Sequence, residues 1–159
     1  MKAIAAMSKN RAIGLKNKIP WHIKEDFQWF KEFTIGKILV VGNKTFTSLP
    51  PLKNRNFIVL TTCNHAYEDI YDVMNNMAFT YGGVNNVINT DNHHNGELIV
   101  IGGAKTYEIF LPDITEFYVT HVNGDYEGDV FMPPFEHLFS NKELIKTFTG
   151  EHQVFKYTK

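Results

Sequence analysis

Residues 98–111 read LIVIGGAKTYEIFL, a short apolar run that leads into two adjacent glycines and then into a helix-like stretch. The run LIVI is continuously apolar rather than alternating, which is typical of a strand buried on both faces of a parallel sheet. The same pattern recurs as ILVV at 38–41 and as FIVL at 57–60. The sequence therefore predicts a central, largely parallel sheet, with strands over residues 2–7, 37–41, 56–61 and 97–101.

Helix-like segments separate these runs, and the C-terminal part of the chain has a different pattern. Helices are predicted at four places, at 24–34, 43–49, 104–111 and, more weakly, 83–90. Alternation and a turn at Gly150 predict three further strands, at 116–123, 143–149 and 152–158. The stretches 64–76 and 89–96 are rich in Asn, Asp and His, and we expect them to be surface excursions. Since no repeat or linker divides the chain, we expect one α/β domain over residues 1–159, with antiparallel strands at the C-terminal edge.

The composition restricts the class of protein. The chain has 159 residues, 43% of them hydrophobic and 14% aromatic, and a formal net charge of -1. These values suit one compact core and argue against a nucleic-acid-binding surface. Cys63 is the single cysteine, so no disulfide can form within the chain and a reducing compartment is favoured. The N-terminal apolar run ends at Ser8, too early for a signal peptide or a membrane span, so we expect a cytoplasmic protein.

An acidic residue interrupts the apolar face of the helix predicted at 24–34. The aromatic side chains of this helix form one arc, with Phe27, Trp29, Phe30 and Phe33, and Asp26 falls within it. A buried carboxylate without a partner is costly, so the pattern indicates a specific partner for Asp26. Two structural alternatives stay open: Asp26 caps the first helical turn, or it pairs with an arginine or a backbone amide. The long preceding loop, 10–23, favours a ligand-facing acid, because such loops at the carboxyl ends of parallel strands bind ligands.

Two strand-to-helix junctions carry glycine where a ligand can approach the backbone. Gly102 and Gly103 follow one buried run, and Gly42 follows another. Such glycines let a phosphate reach the free amides of the next helix, although a plain tight turn is the alternative for either junction alone. The two junctions together suggest a dinucleotide cofactor, and the side chains available for a further phosphate are Lys44 and Thr62.

The order of these features resembles the dihydrofolate reductase family along nearly the whole chain. The matching residues are Ile4-Ala5-Ala6, Ile13-Gly14, Pro20-Trp21, Asp26 with Phe30, Gly42 with Thr45, the segment from Leu52 to Arg55, Ile101-Gly102-Gly103 with Tyr107, Thr120, and Glu127-Gly128-Asp129. The resemblance implies a doubly wound, mostly parallel sheet. It also implies an enzyme that uses NADPH to reduce 7,8-dihydrofolate to tetrahydrofolate, and it favours a monomer.

The resemblance implies that Asp26 is the central catalytic residue. Its carboxylate would accept hydrogen bonds from a pterin ring nitrogen and the 2-amino group, and would favour protonation at N5 so that C6 accepts a hydride. Thr120 would support the acid directly or through water, and a desolvated setting would raise the pKa of Asp26. Trp21 and Tyr107 complete the implied catalytic set. The loop that begins at Gly14 would be a lid that closes over the nicotinamide.

The binding residues follow from the same resemblance. The implied substrate-binding positions are Ile4, Ala5, Ala6, Phe27, Phe30, Leu49, Leu52, Arg55 and Ile101. Arg55 matches an arginine that holds the α-carboxylate of the glutamate tail. The implied cofactor-binding positions are Ala6, Ile13, Gly14, Gly42, Asn43, Lys44, Thr45, Thr61, Thr62, Gly102, Gly103, Ala104, Lys105, Thr106 and Tyr107. In the family, a cis peptide joins the pair that Gly102 and Gly103 match.

Some positions depart from the family pattern or have two interpretations. Asn43 replaces an arginine often found after Gly42, so recognition of the extra ribose phosphate of NADPH falls to Lys44 and Thr62. Asp129 either buttresses the lid or is an ordinary turn acid.

Two rival functions stay open. The pyrimidine-deoxyribose reductase of riboflavin synthesis is a fold relative that shares the sheet and the Gly-Gly turn. Asp26, Phe30 and Arg55 suit a pterin with an acidic tail better than a phosphoribosyl group. The other rival is a binding module that has kept the pocket and lost turnover, and the intact acid and lid argue against it.

Overall fold

The computed structural model describes residues 1–61, 77–81 and 97–159. Among the described residues, the three α-helices lie between strands before residue 111, and strands dominate the rest. In chain order the elements are β1 (Lys2–Ser8), β2 (Ala12–Gly14), α1 (Lys24–Thr34), β3 (Ile38–Gly42), α2 (Asn43–Phe46), β4 (Asn56–Thr61), β5 (Met77–Tyr81), β6 (Leu98–Gly102), α3 (Ala104–Phe110), β7 (Glu116–Val122), β8 (Val130–Phe131), the 3-10 helix η1 (Glu136–Leu138), β9 (Asn141–Phe148) and β10 (His152–Thr158).

Within the described residues, eight strands form the main sheet in the order β5-β4-β3-β6-β1-β7-β10-β9. The neighbours from β5 to β7 pair in parallel, and β10 pairs antiparallel with both β7 and β9. β2 and β8 form a separate antiparallel pair. This arrangement confirms the predicted mostly parallel sheet with antiparallel C-terminal strands.

Apolar side chains pack on both faces of the sheet. On one face, Leu39 and Phe57 are buried beneath Trp29 and Phe33 of α1. The opposite face buries a second cluster, which includes Tyr107 and Phe110 of α3 together with Phe117 and Phe135. Helices therefore cover both faces, as the doubly wound arrangement requires.

The predicted elements agree with the structure where the apolar pattern is long. Helix α1 has the predicted bounds, and the four buried strands start and end within about one residue of the predicted positions. The helix predicted at 43–49 is wrong in its second half, because α2 ends at Phe46 and tight turns follow. The sequence analysis did not identify β2, β5, β8 and η1. The weak helix predicted at 83–90 and the stretches 64–76 and 89–96 lie outside the described residues.

The strand order creates a crevice at one edge of the sheet. β1 lies between β6 and β7, so the connections that follow β1 and β6 run to opposite sides of the sheet order and leave a crevice between them. The carboxyl ends of β1, β3 and β6 meet at this edge, where open α/β sheets bind ligands. Among the described residues, no helix is both long and apolar enough to cross a bilayer.

Candidate active site

A cleft of about 2100 Å³ opens at this edge of the sheet. Its walls come from β1, the loop before α1, α1 itself and the two glycine junctions. Nearly all the residues that the sequence analysis assigned line it: Ile4, Ala5, Ala6, Ile13, Gly14, Trp21, Asp26, Phe27, Phe30, Gly42, Asn43, Lys44, Thr45, Leu49, Leu52, Arg55, Ile101, Gly102, Gly103, Ala104, Lys105, Thr106 and Tyr107. Thr120 lies behind Asp26, the backbone of Thr61 ends β4, and Thr62 lies outside the described residues.

Asp26 lies at the bottom of the cleft, with 8% of its surface exposed. The hydroxyl of Thr120 on β7 donates a hydrogen bond of 2.6 Å to Oδ1 of Asp26. Thr120 faces α1 because side chains alternate along β7, which places Phe117 and Val119 in the cluster on the opposite face. The structure thus shows the direct form of the expected Thr120 contact.

Asp26 does lie in the first turn of α1, but its contacts among the described residues match neither a helix cap nor a pair with an arginine or a backbone amide. The N-cap of α1 is Ile23, which makes no side-chain capping hydrogen bond, and the hydroxyl of Thr120 rather than an arginine or an amide contacts the acid. Burial raises the pKa of Asp26 above its ordinary value, against smaller lowering effects from the Thr120 hydrogen bond and from His152. A partly desolvated carboxylate with a raised pKa in a cleft is typical of a functional acid.

Trp21 closes the cleft beside Asp26 from the loop before α1. Its ring is 7% exposed and packs edge-on against Tyr126, with 5.2 Å between the ring centroids. The buried Nε1 of Trp21 has no hydrogen-bond partner among the described residues. A buried indole N–H normally finds a partner, so this donor is available to a water or a ligand in the cleft.

The loop that contains Trp21 is attached to the segment before β8. The carboxylate of Asp129 accepts a hydrogen bond of 3.0 Å from the amide of Lys16, and the amide of Asp129 donates one of 2.9 Å to the carbonyl of Gly14. Gly128 fits because a Cβ there would approach the Cβ of Ala12 to 2.6 Å. Asp129 therefore buttresses the predicted lid, which decides between its two interpretations.

The two glycine junctions interlock. A Cβ on Gly42 would lie 2.9 Å from Oγ1 of Thr106, and a Cβ on Gly103 would lie 2.8 Å from Oγ1 of Thr45. Each glycine thus packs against the threonine hydroxyl in the first turn of the other helix. The peptide between Gly102 and Gly103 is cis, as in the family pattern. Neither α2 nor α3 has a side-chain cap, so their first amides have no partner from a capping side chain.

Tyr107 lies beneath this junction and is almost entirely buried. Its hydroxyl donates a hydrogen bond of 2.7 Å to the carbonyl of Ile4 on β1, and burial raises its pKa. A Cβ on Gly102, where φ is +113°, would lie 3.1 Å from the Tyr107 ring. Tyr107 therefore stays protonated and links α3 to the strand at the centre of the cleft.

The side of the cleft near α2 carries the departures noted in the sequence. The Oδ1 of Asn43 is buried and has no hydrogen-bond partner among the described residues. Lys44 is exposed and lines the cleft next to it. An unpaired buried acceptor beside an exposed cation suits a ligand with both donor and anionic groups.

Arg55 lies at the other end of the cleft, held by three hydrogen bonds. Its Nε donates to Oγ1 of Thr34 at 2.9 Å, and its terminal nitrogens donate to the carbonyls of Lys53 at 2.9 Å and Lys31 at 3.1 Å. Thr34 in turn donates to the carbonyl of Phe30. Within the part of the chain that the structure describes, these bonds use three of the five N–H groups of the guanidinium, which leaves two for an anionic ligand.

The sequence analysis missed several residues that line the cleft. Lys31 of α1 lines the cleft at the Arg55 end. His22 follows Trp21 and packs against Phe27, with ring centroids 5.1 Å apart. Ile109 is 49% exposed on α3 and lines the opposite end. Ile109 could have been found from the sequence, because it is an apolar residue on the solvent side of its helix. No feature of the sequence indicated that Lys31 lines the cleft.

Comparisons with known proteins agree with this site. A family model described as dihydrofolate reductase matches residues 1–158. The dihydrofolate reductase of Buchnera aphidicola subsp. Acyrthosiphon pisum is 37% identical over 137 residues, which cover 84% of this chain and 78% of the relative. That of Neisseria gonorrhoeae is 35% identical over 136 residues, covering 82% and 76%. The solved structure of dihydrofolate reductase from Enterococcus faecalis, complexed with NADP(H) and RAB-propyl, superposes with a TM-score of 0.79 at 27% identity and covers 99% of this chain and 94% of its own. Sequence, fold and the lining of the cleft agree, and the chain belongs to the dihydrofolate reductase family.

Proposed function

We propose that this protein uses NADPH to reduce 7,8-dihydrofolate to 5,6,7,8-tetrahydrofolate, with Asp26 as the acid that orients the pterin ring. The observation that carries the proposal is the buried Asp26–Thr120 pair at the bottom of a cleft whose adjoining wall is made of interlocked glycine junctions. Membership of the family supports the reaction. The solved relative bound to NADP(H) supports the cofactor.

Asp26 acts by position and by charge. Thr120 occupies Oδ1, so the remaining acceptor capacity of the carboxylate faces the cleft, where it can take hydrogen bonds from a ring nitrogen and the 2-amino group. A negative charge in a desolvated site favours the substrate form protonated at N5. Trp21 excludes bulk water and offers its free Nε1 to a water that can relay the proton.

The glycine junctions fit a dinucleotide. Gly42 and Gly103 leave room only for the threonine hydroxyl of the other helix, which brings the starts of α2 and α3 close together, and neither helix start has a side-chain cap among the described residues. Lys44, an exposed cation next to Asn43 in the lining of the cleft, suits the extra ribose phosphate in place of the missing arginine. When bound, NADPH supplies the hydride. Thr61 and Thr62 stay predicted cofactor contacts from the resemblance.

The substrate tail binds at the opposite end. Arg55 keeps one N–H on each terminal nitrogen without a partner among the described residues, and such a pair suits a carboxylate; its other bonds fix the guanidinium in place. Ile4, Phe30 and Leu52 supply apolar contacts for the rings between Asp26 and Arg55. The protein is a cytoplasmic monomer in this proposal, one domain over residues 1–159, with a small-molecule substrate and no nucleic-acid partner.

The experiment is a spectrophotometric assay of NADPH oxidation on addition of dihydrofolate. We expect turnover by the wild type and roughly a 100-fold or greater loss of kcat for Asp26→Asn at neutral pH, because the charge is gone and the shape is kept. Asp113→Asn makes the same chemical change at an exposed position and is expected to match the wild type. A wild type that binds both ligands without oxidising NADPH contradicts the proposal. Equal rates with NADH and NADPH would contradict the role given to Lys44.

A further inference from the structure

The first turn of α1 is held by a contact that lies outside the cleft. The carboxylate of Glu25 accepts two hydrogen bonds from one residue, Thr149: its amide donates to Oε2 at 2.9 Å and its hydroxyl to Oε1 at 2.8 Å. Thr149 opens the turn between β9 and β10. Because Ile23 provides no side-chain cap, this two-point contact, here called the Glu25 clamp, attaches the start of α1 to the rest of the fold.

The turn that carries Thr149 is itself attached to the end of β7. Nδ1 of His152 accepts a hydrogen bond of 2.9 Å from the amide of Asn123, which directly follows β7. The side chain of Asn123 also donates to the carbonyl of Gly150 at 3.4 Å. The C-terminal turn is thereby fixed to the strand that carries Thr120.

These contacts form a closed ring around the catalytic acid. Asp26 bonds to Thr120, β7 leads from Thr120 to Asn123, Asn123 bonds to the β9–β10 turn, and Thr149 of that turn bonds to Glu25. Glu25 is the residue next to Asp26, so the ring closes on the helical turn that carries the acid. The distance between Asp26 and Thr120 depends on α1 and β7 keeping their relative position. Trp29 and Phe33 pack on Tyr118 of β7 along the middle and end of α1, and the clamp adds a contact at its first turn.

We propose that Glu25 and Thr149 are positioning residues for Asp26, which hold its carboxylate against Thr120 and shield it from water. The inference rests on Asp26 being the acid of the proposed reaction.

The charges near the clamp keep it closed at neutral pH. Both hydrogen bonds from Thr149 lower the pKa of Glu25, and His152 and Lys146 lower it further, so the carboxylate is ionised. His152 also lowers the pKa of Asp26 through its charge, against the larger effect of burial. Glu25 is on the surface, where such contacts contribute little to stability. A change at the clamp should therefore alter the site more than the fold.

The test compares Glu25→Ala with Glu32→Ala in the dihydrofolate assay. Glu32 is an exposed acid on the same helix and accepts a local hydrogen bond from Gln28, so its removal changes the charge equally without touching the ring. We expect Glu25→Ala to lower kcat/KM about tenfold, since small misplacements of a reacting group are costly, and to leave KM for NADPH unchanged. We also expect the midpoint of its pH profile to move down, because water reaches Asp26. Glu32→Ala should retain the wild-type rate and profile.

Two Thr149 variants separate the clamp from the charge of Glu25. Thr149→Val removes the hydroxyl bond and keeps the charge, so its rate and pH midpoint should move in the same direction as those of Glu25→Ala. Thr149→Ser restores the hydroxyl and should restore both. The double variant Glu25→Ala with Thr149→Val should be no slower than Glu25→Ala alone, since both changes break one contact.

The inference is overturned if Glu25→Ala behaves as Glu32→Ala, or if the effects of Glu25→Ala and Thr149→Val add. An active Asp26→Asn would instead contradict the proposed function itself, so the two failures are distinguishable. Thermal midpoints establish that each variant is folded. Should Glu25→Ala fail to fold, the comparison of Thr149→Val with Thr149→Ser decides the question on its own.

Discussion

Asp26 sits at a position that the packing of α1 would otherwise fill with an apolar side chain. Burial raises its pKa, so folding favours the protonated acid over the carboxylate. Below the pKa of the unfolded chain the acid is protonated in both states, and its titration does not affect stability. As the pH rises through the raised folded pKa, the folded state must accept a buried charge that the unfolded state solvates, and stability is lost.

We therefore expect Asp26→Asn to be more stable than the wild type at pH 7, with a midpoint of thermal unfolding higher by roughly 2–4 °C. The gain should shrink as the pH is lowered towards 4, because the wild-type acid is then neutral as well. Differential scanning calorimetry from pH 7 to pH 4 measures this difference. A variant that is less stable than the wild type at every pH would mean that Asp26 serves the fold rather than the reaction.

The sequence identified Asp26 because a charge within an aromatic arc is an anomaly that one helix displays by itself. Its partners could not be found that way. Thr120 and Thr149 lie far from Asp26 and Glu25 in sequence, and only the pairing of β7 and β10 brings them to α1. The family pattern supplied Thr120. Nothing in the local sequence marked Thr149, whose role depends on the shape of one turn.

At the scale of elements, prediction succeeded where an apolar pattern was long enough to have a period. α1 and the buried strands each carry such a pattern, and the hairpin around Gly150 has a turn residue with φ of +83°. β2 and β8 contain three and two residues, too few to show alternation, and they form by pairing with each other. Periodicity cannot detect an element that is defined only by its partner.

The pairing of β7 with β10 buries a titratable side chain that has no part in the proposed reaction. His121 on β7 packs edge-on against Phe155 and has its Nε2 2.9 Å from the hydroxyl of Tyr157. Burial lowers the pKa of His121 to about 4, from 6.5 in the unfolded chain; Lys142 and Arg11 lower it further and Glu136 opposes them. The folded state thus holds a neutral imidazole. Stability is complete above pH 6.5 and falls as the pH drops from there to about 4, because the unfolded state binds the proton first.

We expect His121→Gln to lose less stability than the wild type between pH 7 and pH 4.5. Gln does not titrate and can still bond to the hydroxyl of Tyr157. The difference should be about 1 kcal/mol, well below the full linkage value because His121 is partly exposed. Urea unfolding at the two pH values measures it. Parallel losses in the two proteins would show that His121 is already solvated in the folded state.

At the scale of the whole molecule, the strand order places two binding surfaces at one crevice. The glycine junctions follow β3 and β6, and the wall that carries Asp26 and Arg55 comes from α1 and the segment before β4. The two halves of the cleft are built from different parts of the sheet, but they share β1, whose Ile4 carbonyl is held by Tyr107. Because most contacts of each ligand come from a different wall, we expect each ligand to stabilise the fold independently of the other.

This separation can be measured by ligand-induced shifts in thermal stability, with each ligand added alone so that no turnover occurs. Either NADPH or dihydrofolate at 100 times its Kd should stabilise the wild type by about 2.7 kcal/mol, which raises the unfolding midpoint by roughly 5–10 °C. Arg55→Leu removes the fork for the tail carboxylate, so it should abolish most of the shift with dihydrofolate at the same concentration and leave the NADPH shift intact. Arg55→Lys keeps the charge without the fork, and its shift should lie between the two. If Arg55→Leu reduced both shifts equally, Arg55 would act through the stability of α1, whose Lys31 carbonyl it also binds, and the tail of the substrate would need another anchor.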